Sequence, residues 1–249
     1  MLAHQREAKI VELVRREGSV SAADLASTLD VSTATIRRDL DRLESLGRLA
    51  RVHGGACYKD DPEDPFGSVV NEDIEEKDRI AAAAAQIITD GDVVLLDIGT
   101  TTVRIAHNLR GRPLTVMTSS LAVFDVLRHD DAVELVLLGG NVRRNYQTLV
   151  GPITEEALTM IHVTTAFLSC TGVRPDGVIV DDISQEATIK RAMAAAADQV
   201  ALVATRAKFP GKGSLRIGTV AQMDYLVTTA PPEATRELMT KPGGRIIHA

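Results

Sequence analysis

The sequence predicts an α/β protein in two parts, an N-terminal winged helix-turn-helix over residues 1–56 and a mostly parallel α/β domain over 71–249, joined by an acidic linker at 57–70. Three observations carry this. Two capped helices stand in tandem early in the chain, the second with a basic outer face and followed by a short basic-apolar stretch and a glycine turn. From Gly91 onward, short apolar runs alternate with helical periodicity, the pattern of a parallel sheet covered on both sides. The charge divides with the same boundary. The net −6 resolves into nine Lys/Arg and eight Asp/Glu in residues 1–56, about +1, against nineteen and twenty-six in 57–249, or −7.

The first element, His4 to Glu17, is read as a helix with Ile10, Leu13 and Val14 on its inner face and a stop at Gly18. Its Arg6, Arg15 and Arg16 are candidates for phosphate contacts or for a solvated face. Ser21 with Asp24 three positions on has the spacing of a helix cap, and Ala22, Leu25, Ala26 and Leu29 recur at helical intervals. Asp30-Val31 is a short break. Ser32 caps a second helix to about Leu46. Ile36, Leu40 and Leu43 face inward there, and Ala34, Thr35, Arg37, Arg38, Asp41 and Arg42 face out. Gly47 ends that helix as a left-handed cap, and Leu49 to Val52 with His53-Gly54-Gly55 forms a small wing. The first turns of the second helix place Ser32, Thr33, Thr35, Arg37 and Arg38 where a groove-entering helix meets bases and phosphates, with Arg51 and His53 reaching backbone or minor groove from the wing. The expected partner is double-stranded operator DNA. A head with so little net positive charge gains little from phosphate neutralisation, so a homo-oligomer, dimer or tetramer, on paired half-sites is expected.

The linker YKDDPEDPFG carries two prolines and a run of acids. Asn71 to Ile88 then reads as a helix, acidic at its start and alanine-rich at its end. Strands follow at Asp92–Asp97, Leu114–Thr118, Glu134–Leu138, Thr165–Leu168, Val200–Ala204, Tyr225–Thr228 and Arg245–Ile247. The intervening helices are Thr101–Leu109, Ser120–Leu127, Ile153–Ile161, Asp182–Ala197 and Pro232–Thr240. Glu186 and Lys190 on one of them read as a surface i,i+4 pair contributing a few tenths of a kcal/mol.

Ligands of open α/β sheets bind beyond the carboxyl ends of the strands. Those ends read Asp97-Ile98-Gly99-Thr100-Thr101-Thr102, Thr118-Ser119-Ser120, Gly139-Gly140 with Arg143 just after, and Thr205-Arg206-Ala207-Lys208. A tight glycine turn opening a helix with three hydroxyls is an anion cradle. The set of small hydroxyl residues, glycines and a lysine at consecutive strand ends suits a polyol phosphate.

The composition excludes other classes. Cys57 and Cys170 have no metal spacing and suggest no disulfide framework, and the six histidines form no catalytic or metal-ligating spacing, so no cofactor, metal or catalytic residue is expected. Without a signal peptide or spanning segment the reading is a cytoplasmic protein with no membrane partner.

VSTATIRRDLDRLESLGRLARVHGGA closely resembles the winged helix of the DeoR family of bacterial transcription regulators, TIRRDL and RVHGGA being its specific strings. DIGTTT, the glycine pair after the third strand, LVGP at 149–152, EATIKRAM at 186–193 and the AKF of 207–209 resemble the sensor domain of that family in sequence order, itself similar to ribose phosphate isomerase and amino-sugar phosphate deaminases. The resemblance implies a repressor of a sugar or carbohydrate catabolic operon that leaves its operator when a phosphorylated sugar binds. It implies Gly99, Thr100, Thr101 and Thr102 around the phosphate, and Asp97, Thr118, Gly139, Gly140 and Lys208 around the sugar. Three places depart from the family pattern: Ser119 where an Asn is common, Ala207 where a Ser is common, and Ser169-Cys170-Thr171-Gly172 in place of a Gly-Ala pair. These bear on which effector binds. The alternative reading is a phosphosugar isomerase or deaminase with a fused DNA-binding arm. Such an enzyme needs a base carboxylate against the reacting carbons, and Ser169 to Val173 has none, with Asp176, Asp181 and Asp182 coming later as loop or cap residues.

Overall fold

The computed structural model describes residues 2–17, 19–46, 48–52, 54–57 and 66–249. Gly18, Gly47, His53 and residues 58–65 of the expected linker lie outside the described residues, as do the side chains of Arg15 and Arg16. The chain divides into two compact units, Met1–Val69 and Val70–Ala249.

The first unit runs α1 (Ala3–Glu17), β1 (Ser19–Ser21), α2 (Ala22–Leu29), α3 (Thr33–Ser45), β2 (Ala50–Val52), β3 (Gly55–Cys57) and α4 (Phe66–Val69). Both caps form as their spacing requires. The Ser21 hydroxyl accepts from the Asp24 amide at 3.0 Å, and that of Ser32 from the Thr35 amide at 3.1 Å. Ile10, Val14, Leu25, Ile36, Leu40 and Leu43 are fully buried and join in one core with Leu49 and Ala56, so the three helices share an apolar centre. The wing is an antiparallel sheet in the order β1-β3-β2. β1 is an addition to the sequence reading. Gly55 is required by its closeness, because a Cβ there would meet the Val20 carbonyl oxygen at 2.3 Å. α4 falls inside the stretch read as linker.

The second unit runs α5 (Ile74–Ala85), β4 (Val93–Leu96), α6 (Thr100–Leu109), β5 (Leu114–Thr118), α7 (Leu121–Leu127), β6 (Val133–Leu137), β7 (Asn141–Arg143), β8 (Thr148–Val150), α8 (Pro152–Thr159), β9 (Val163–Leu168), β10 (Gly172–Val173), β11 (Val178–Asp181), α9 (Ser184–Ala195), β12 (Ala197–Val203), β13 (Leu215–Thr219), β14 (Tyr225–Thr228), α10 (Glu233–Glu237) and β15 (Arg245–His248). Seven strands form one parallel sheet in the order β15-β14-β12-β9-β4-β5-β6. Its central strands are apolar on both faces, as a sheet covered by helices on each side demands: Val94, Leu95 and Leu96 of β4 and Ala166 and Phe167 of β9 have no exposure. Two small antiparallel additions, the hairpin β7–β8 and the sheet β10-β11-β13, were not expected from the sequence.

From β4 the chain lays β5 and β6 to one side, then returns to place β9, β12, β14 and β15 on the other. The strand order therefore reverses between β4 and β9, which is where an open α/β sheet leaves a crevice for a ligand. Among the described residues no helix is long and apolar enough to cross a membrane.

Candidate functional site

In the first unit, α3 presents Ser32, Thr33, Arg37 and Arg38 as exposed side chains, with Thr35 half-buried. The Ser32 and Thr35 hydroxyls lie 2.9 Å apart and engage each other as well as the cap, while Thr33, Arg37 and Arg38 stand exposed on the face. Arg51 does not reach outward as expected. Its Nη1 donates to Asp41 Oδ1 at 2.5 Å and to the Arg37 carbonyl at 3.3 Å, while its amide donates to Glu44 Oε1 at 3.0 Å. Arg51 thus fastens the wing to α3. Arg6 is neither a solvated nor an outward residue. It holds Asp39 of α3 through Nε at 2.5 Å and Nη2 at 3.1 Å. This two-pronged contact ties α1 to the buried side of α3, and the hydrogen bond to Asp39 is the main reason the guanidinium is held above its ordinary range. His53 lies outside the described residues.

In the second unit the crevice between β4 and β9 is occupied by a compact polar cluster. Asp97 follows β4 and Ser169 follows β9. Asp97 Oδ2 accepts from the Ser169 amide at 2.9 Å, the Ser169 hydroxyl at 2.8 Å and the Lys190 ammonium at 2.5 Å. Lys190 also approaches Asp181 Oδ2 at 3.7 Å. Glu186, one turn earlier on α9, pairs with Arg143 of β7, which in turn lies over the Tyr146 ring. The surface i,i+4 reading of Glu186 and Lys190 is therefore wrong. Each is 2% exposed, and each has its main partner on another element. Burial would lower the Lys190 pKa, but Asp97, Asp181 and Glu186 outweigh it and hold the ammonium above the ordinary lysine range. Asp181, the second acid after β9, takes part as an ion partner and as acceptor for the Asp182 and Ile183 amides.

Gly99 begins α6 with φ +130 and no side-chain cap, so the first amides of the helix are left without intrahelical acceptors. A Cβ there would sit 2.9 Å from Ser169 Oγ, so the turn and the cluster are pressed together. The three threonines divide. Thr102 donates to the carbonyls of Asp97 and Gly99 at 2.8 and 2.9 Å and is a structural clasp. Thr100 and Thr101 are 7% exposed, with no side-chain hydrogen bond among the described residues. Thr118 is likewise spent within the fold, donating to the Leu96 carbonyl at 2.8 Å and accepting from the Ser120 amide at 3.0 Å. Gly140 has φ +155 and packs against α8, where a Cβ would meet Thr154 Oγ1 at 2.1 Å. Gly139 has only Ile153 at 3.5 Å from such a Cβ. Neither glycine is brought to the cluster by any described contact.

Lys208 lies half-buried in a 3-10 turn after β12. It has a companion the sequence reading missed: Lys77 of α5, buried and with its pKa lowered. Desolvation is the chief cause, Glu72 and Asp73 oppose it, and Lys208 and Arg104 add to it. Lys208 also acts on Cys170, whose thiol burial pushes up to about 12. The cations at positions 77 and 208 therefore gather on the carboxyl-end side of the sheet, near α6.

A family model of the DeoR C-terminal sensor domain matches residues 72–230, and one of the DeoR-like helix-turn-helix domain matches residues 6–61. The glycerol-3-phosphate regulon repressor of Escherichia coli is 31% identical over 92% of this chain and 91% of its own length. The lactose phosphotransferase system repressor of Streptococcus mutans is 33% identical over 82% of this chain and 83% of its own. Among solved structures, eIF2B beta from Chaetomium thermophilum shares the fold at TM-score 0.50 and 17% identity, covering 83% of this chain and 57% of that one. A ribose 5-phosphate isomerase from Methanocaldococcus jannaschii aligns at TM-score 0.42 and 14% identity, over 55% of each chain. With both domains matched in order and relatives aligned along nearly their whole length, the chain belongs to the DeoR family of transcriptional regulators.

Proposed function

We propose that the chain is a cytoplasmic repressor that binds operator DNA through α3 as a homo-oligomer, dimer or tetramer, and leaves it when a phosphorylated sugar or polyol occupies the sensor crevice. The single observation that supports this best is the uncapped start of α6 at Gly99, beside the β4–β9 strand reversal. Its amides and helix dipole favour an anion, the Thr100 and Thr101 hydroxyls are at hand, and Lys208 and Lys77 supply positive charge on the same side. In this reading Thr102 contributes its amide but not its hydroxyl, and Thr118, Gly139 and Gly140 shape the crevice without touching the ligand. Relatives named as repressors of a glycerol-3-phosphate regulon and of a lactose phosphotransferase system favour the same class of effector. On α3, Arg37 and Arg38 read the operator, with Ser32, Thr33 and Thr35 against its backbone.

A ligand that binds only the folded state raises the melting temperature. The test is a thermal-shift panel of sugar and polyol monophosphates with their dephosphorylated forms, on wild type and Thr101→Ala. Phosphorylated compounds alone should stabilise the wild type, and loss of the Thr101 hydroxyl should weaken the best of them roughly tenfold, as expected for one hydrogen bond to a charged group. Equal shifts from a phosphate ester and its parent alcohol would sink the reading.

A further inference from the structure

The seven-stranded sheet ends on one side at β6, which pairs only with β5 among the described residues. The Leu138 amide donates to the Thr118 carbonyl at 2.8 Å. Main-chain groups alternate in direction along a strand, so Glu134, Val136 and Leu138 turn theirs toward β5, and Val133, Leu135 and Leu137 turn theirs outward. Val133 gives its amide to the Asp130 carbonyl at 3.3 Å, while the amides and carbonyls of Leu135 and Leu137 have no partner among the described residues. An open edge of this kind is a template for another strand, and folded proteins blunt it with charge, proline or a bulge. On β6 the only such device is Glu134, and its carboxylate accepts from Thr115 Oγ1 of β5 at 3.1 Å. The opposite edge, β15, opens with an exposed Arg245 and closes with an exposed His248. Apolar side chains also gather where β6 ends. Ile153 of α8 is 65% exposed and lies 3.5 Å from where a Cβ of Gly139 would be, and Val142 of β7 is 53% exposed.

We propose that β6 is the edge through which two copies of this chain join, antiparallel across a two-fold axis at Leu135, so that two sensor sheets run on as one. The strand is self-complementary in that register. Leu135 faces the partner subunit's Leu135, and the outward amide and carbonyl of each satisfy the other's. Val133 faces the partner subunit's Leu137, which makes one face of the junction wholly apolar. Glu134 faces the partner subunit's Val136, so no carboxylate stands opposite another, an arrangement that would repel. A contact of this isologous kind closes at two copies and leaves no edge for a third. A strand pair alone falls short of the roughly 800 Å² per partner of a standard interface. Val142 and Ile153, just past the end of β6, extend the contact at both ends of the antiparallel pair. This inference rests on the homo-oligomer reading and gives it a surface.

The test is sedimentation velocity of the full chain at micromolar concentration, as wild type, Leu135→Lys, Leu135→Asp and an equimolar mixture of the two variants. Like charges directly opposite in a strand pair repel and opposite charges attract. The wild type should sediment as a dimer or tetramer, each variant alone should fall to half that mass or less, and the mixture should recover the wild-type mass. That recovery requires position 135 to face itself. Ile153→Asp lies at an exposed position and should raise the dimer dissociation constant about tenfold or more, as losing an interface anchor does. It decides the matter if the Leu135 variants lose their circular-dichroism spectrum, and an unchanged constant then overturns the proposal. Wild-type mass in either Leu135 variant alone, or a mixture that stays at the lower mass, overturns the β6 edge and leaves the homo-oligomer reading in place. A monomeric wild type overturns both.

Discussion

Lys190→Met is the sharpest perturbation of the sensor. The ammonium lies 2.5 Å from Asp97 Oδ2, 3.1 Å from Ser169 Oγ and 3.7 Å from Asp181 Oδ2, and the three charged side chains are 3%, 1% and 4% exposed in the order Lys190, Asp97, Asp181. Met fills nearly the same volume, so packing changes little and the loss is one of charge. It leaves two carboxylates in a dry interior without their shared cation. Removing one partner from a buried pair costs about 3–5 kcal/mol, because the remaining charge is uncompensated. For a unit of this size each kcal/mol moves the midpoint by about 2–4 °C, so the sensor transition should fall by on the order of 10 °C. An exposed i,i+4 pair would be worth only about 0.2–0.5 kcal/mol. Thermal unfolding followed by far-ultraviolet circular dichroism at neutral pH separates the two. The deficit should shrink as pH falls through the carboxylate range, because an unpaired buried carboxyl has a raised pKa, takes up a proton in the folded variant and no longer needs the cation. A shift under about 2 °C at neutral pH would refute the buried-cluster account.

The remaining predictions concern both units. Arg38→Ala or Arg37→Ala should weaken binding to a duplex selected from random sequence by about 1–3 kcal/mol if the residue reads a base. Arg51→Ala should weaken it less, since Arg51 is taken up by Asp41, and an Arg51 loss larger than both would overturn that order. Gly140→Ala should destabilise the sensor by about 1–3 kcal/mol through overpacking against Thr154 and a strained φ, measured by urea unfolding; a wild-type midpoint would show that α8 does not press on this turn. Burial holds Lys77 below its ordinary pKa of 10.5, so an anionic ligand should favour its charged form. Affinity for an active phosphate ester should therefore fall as pH rises from neutrality toward 10.5, and Lys77→Arg, which stays charged, should flatten the fall. The unliganded fold should gain stability over the same window, because the unfolded chain binds that proton more tightly.

Local chemistry was legible in the sequence, and long-range pairing was not. The Ser21 and Ser32 caps and the strands Leu114–Thr118 and Tyr225–Thr228 lie where spacing and apolar runs place them, since each depends on neighbours a few residues away. The hairpin β7–β8 was missed because its strands are three residues long, and β13 because it pairs with β11 some forty residues earlier. Glu186 and Lys190 show the limit most plainly. Their i,i+4 spacing is the same on an exposed face and a buried one, and the residues that decide, Arg143 and Asp97, are 43 and 93 positions away. The strand-end motif DIGTTT located the crevice, but not that Thr102 and Thr118 spend their hydroxyls on backbone carbonyls. Nor did any spacing point to Lys77, which reads as one more charge in an acidic helix start.

The central claim is that occupancy of the crevice by a phosphate ester sets the affinity of α3 for DNA. A ligand moves that equilibrium only by its difference in affinity between the DNA-binding and released arrangements. The direct measurement is fluorescence anisotropy of the selected duplex bound to the full chain at moderate salt, titrated in parallel with the phosphate ester that most stabilises the protein and with its dephosphorylated form. The account predicts release by the phosphorylated compound alone, with the half-release concentration rising roughly tenfold in Thr101→Ala, the worth of one hydrogen bond to a charged group. Equal release by both compounds, or release unaffected by Thr101→Ala, would contradict it.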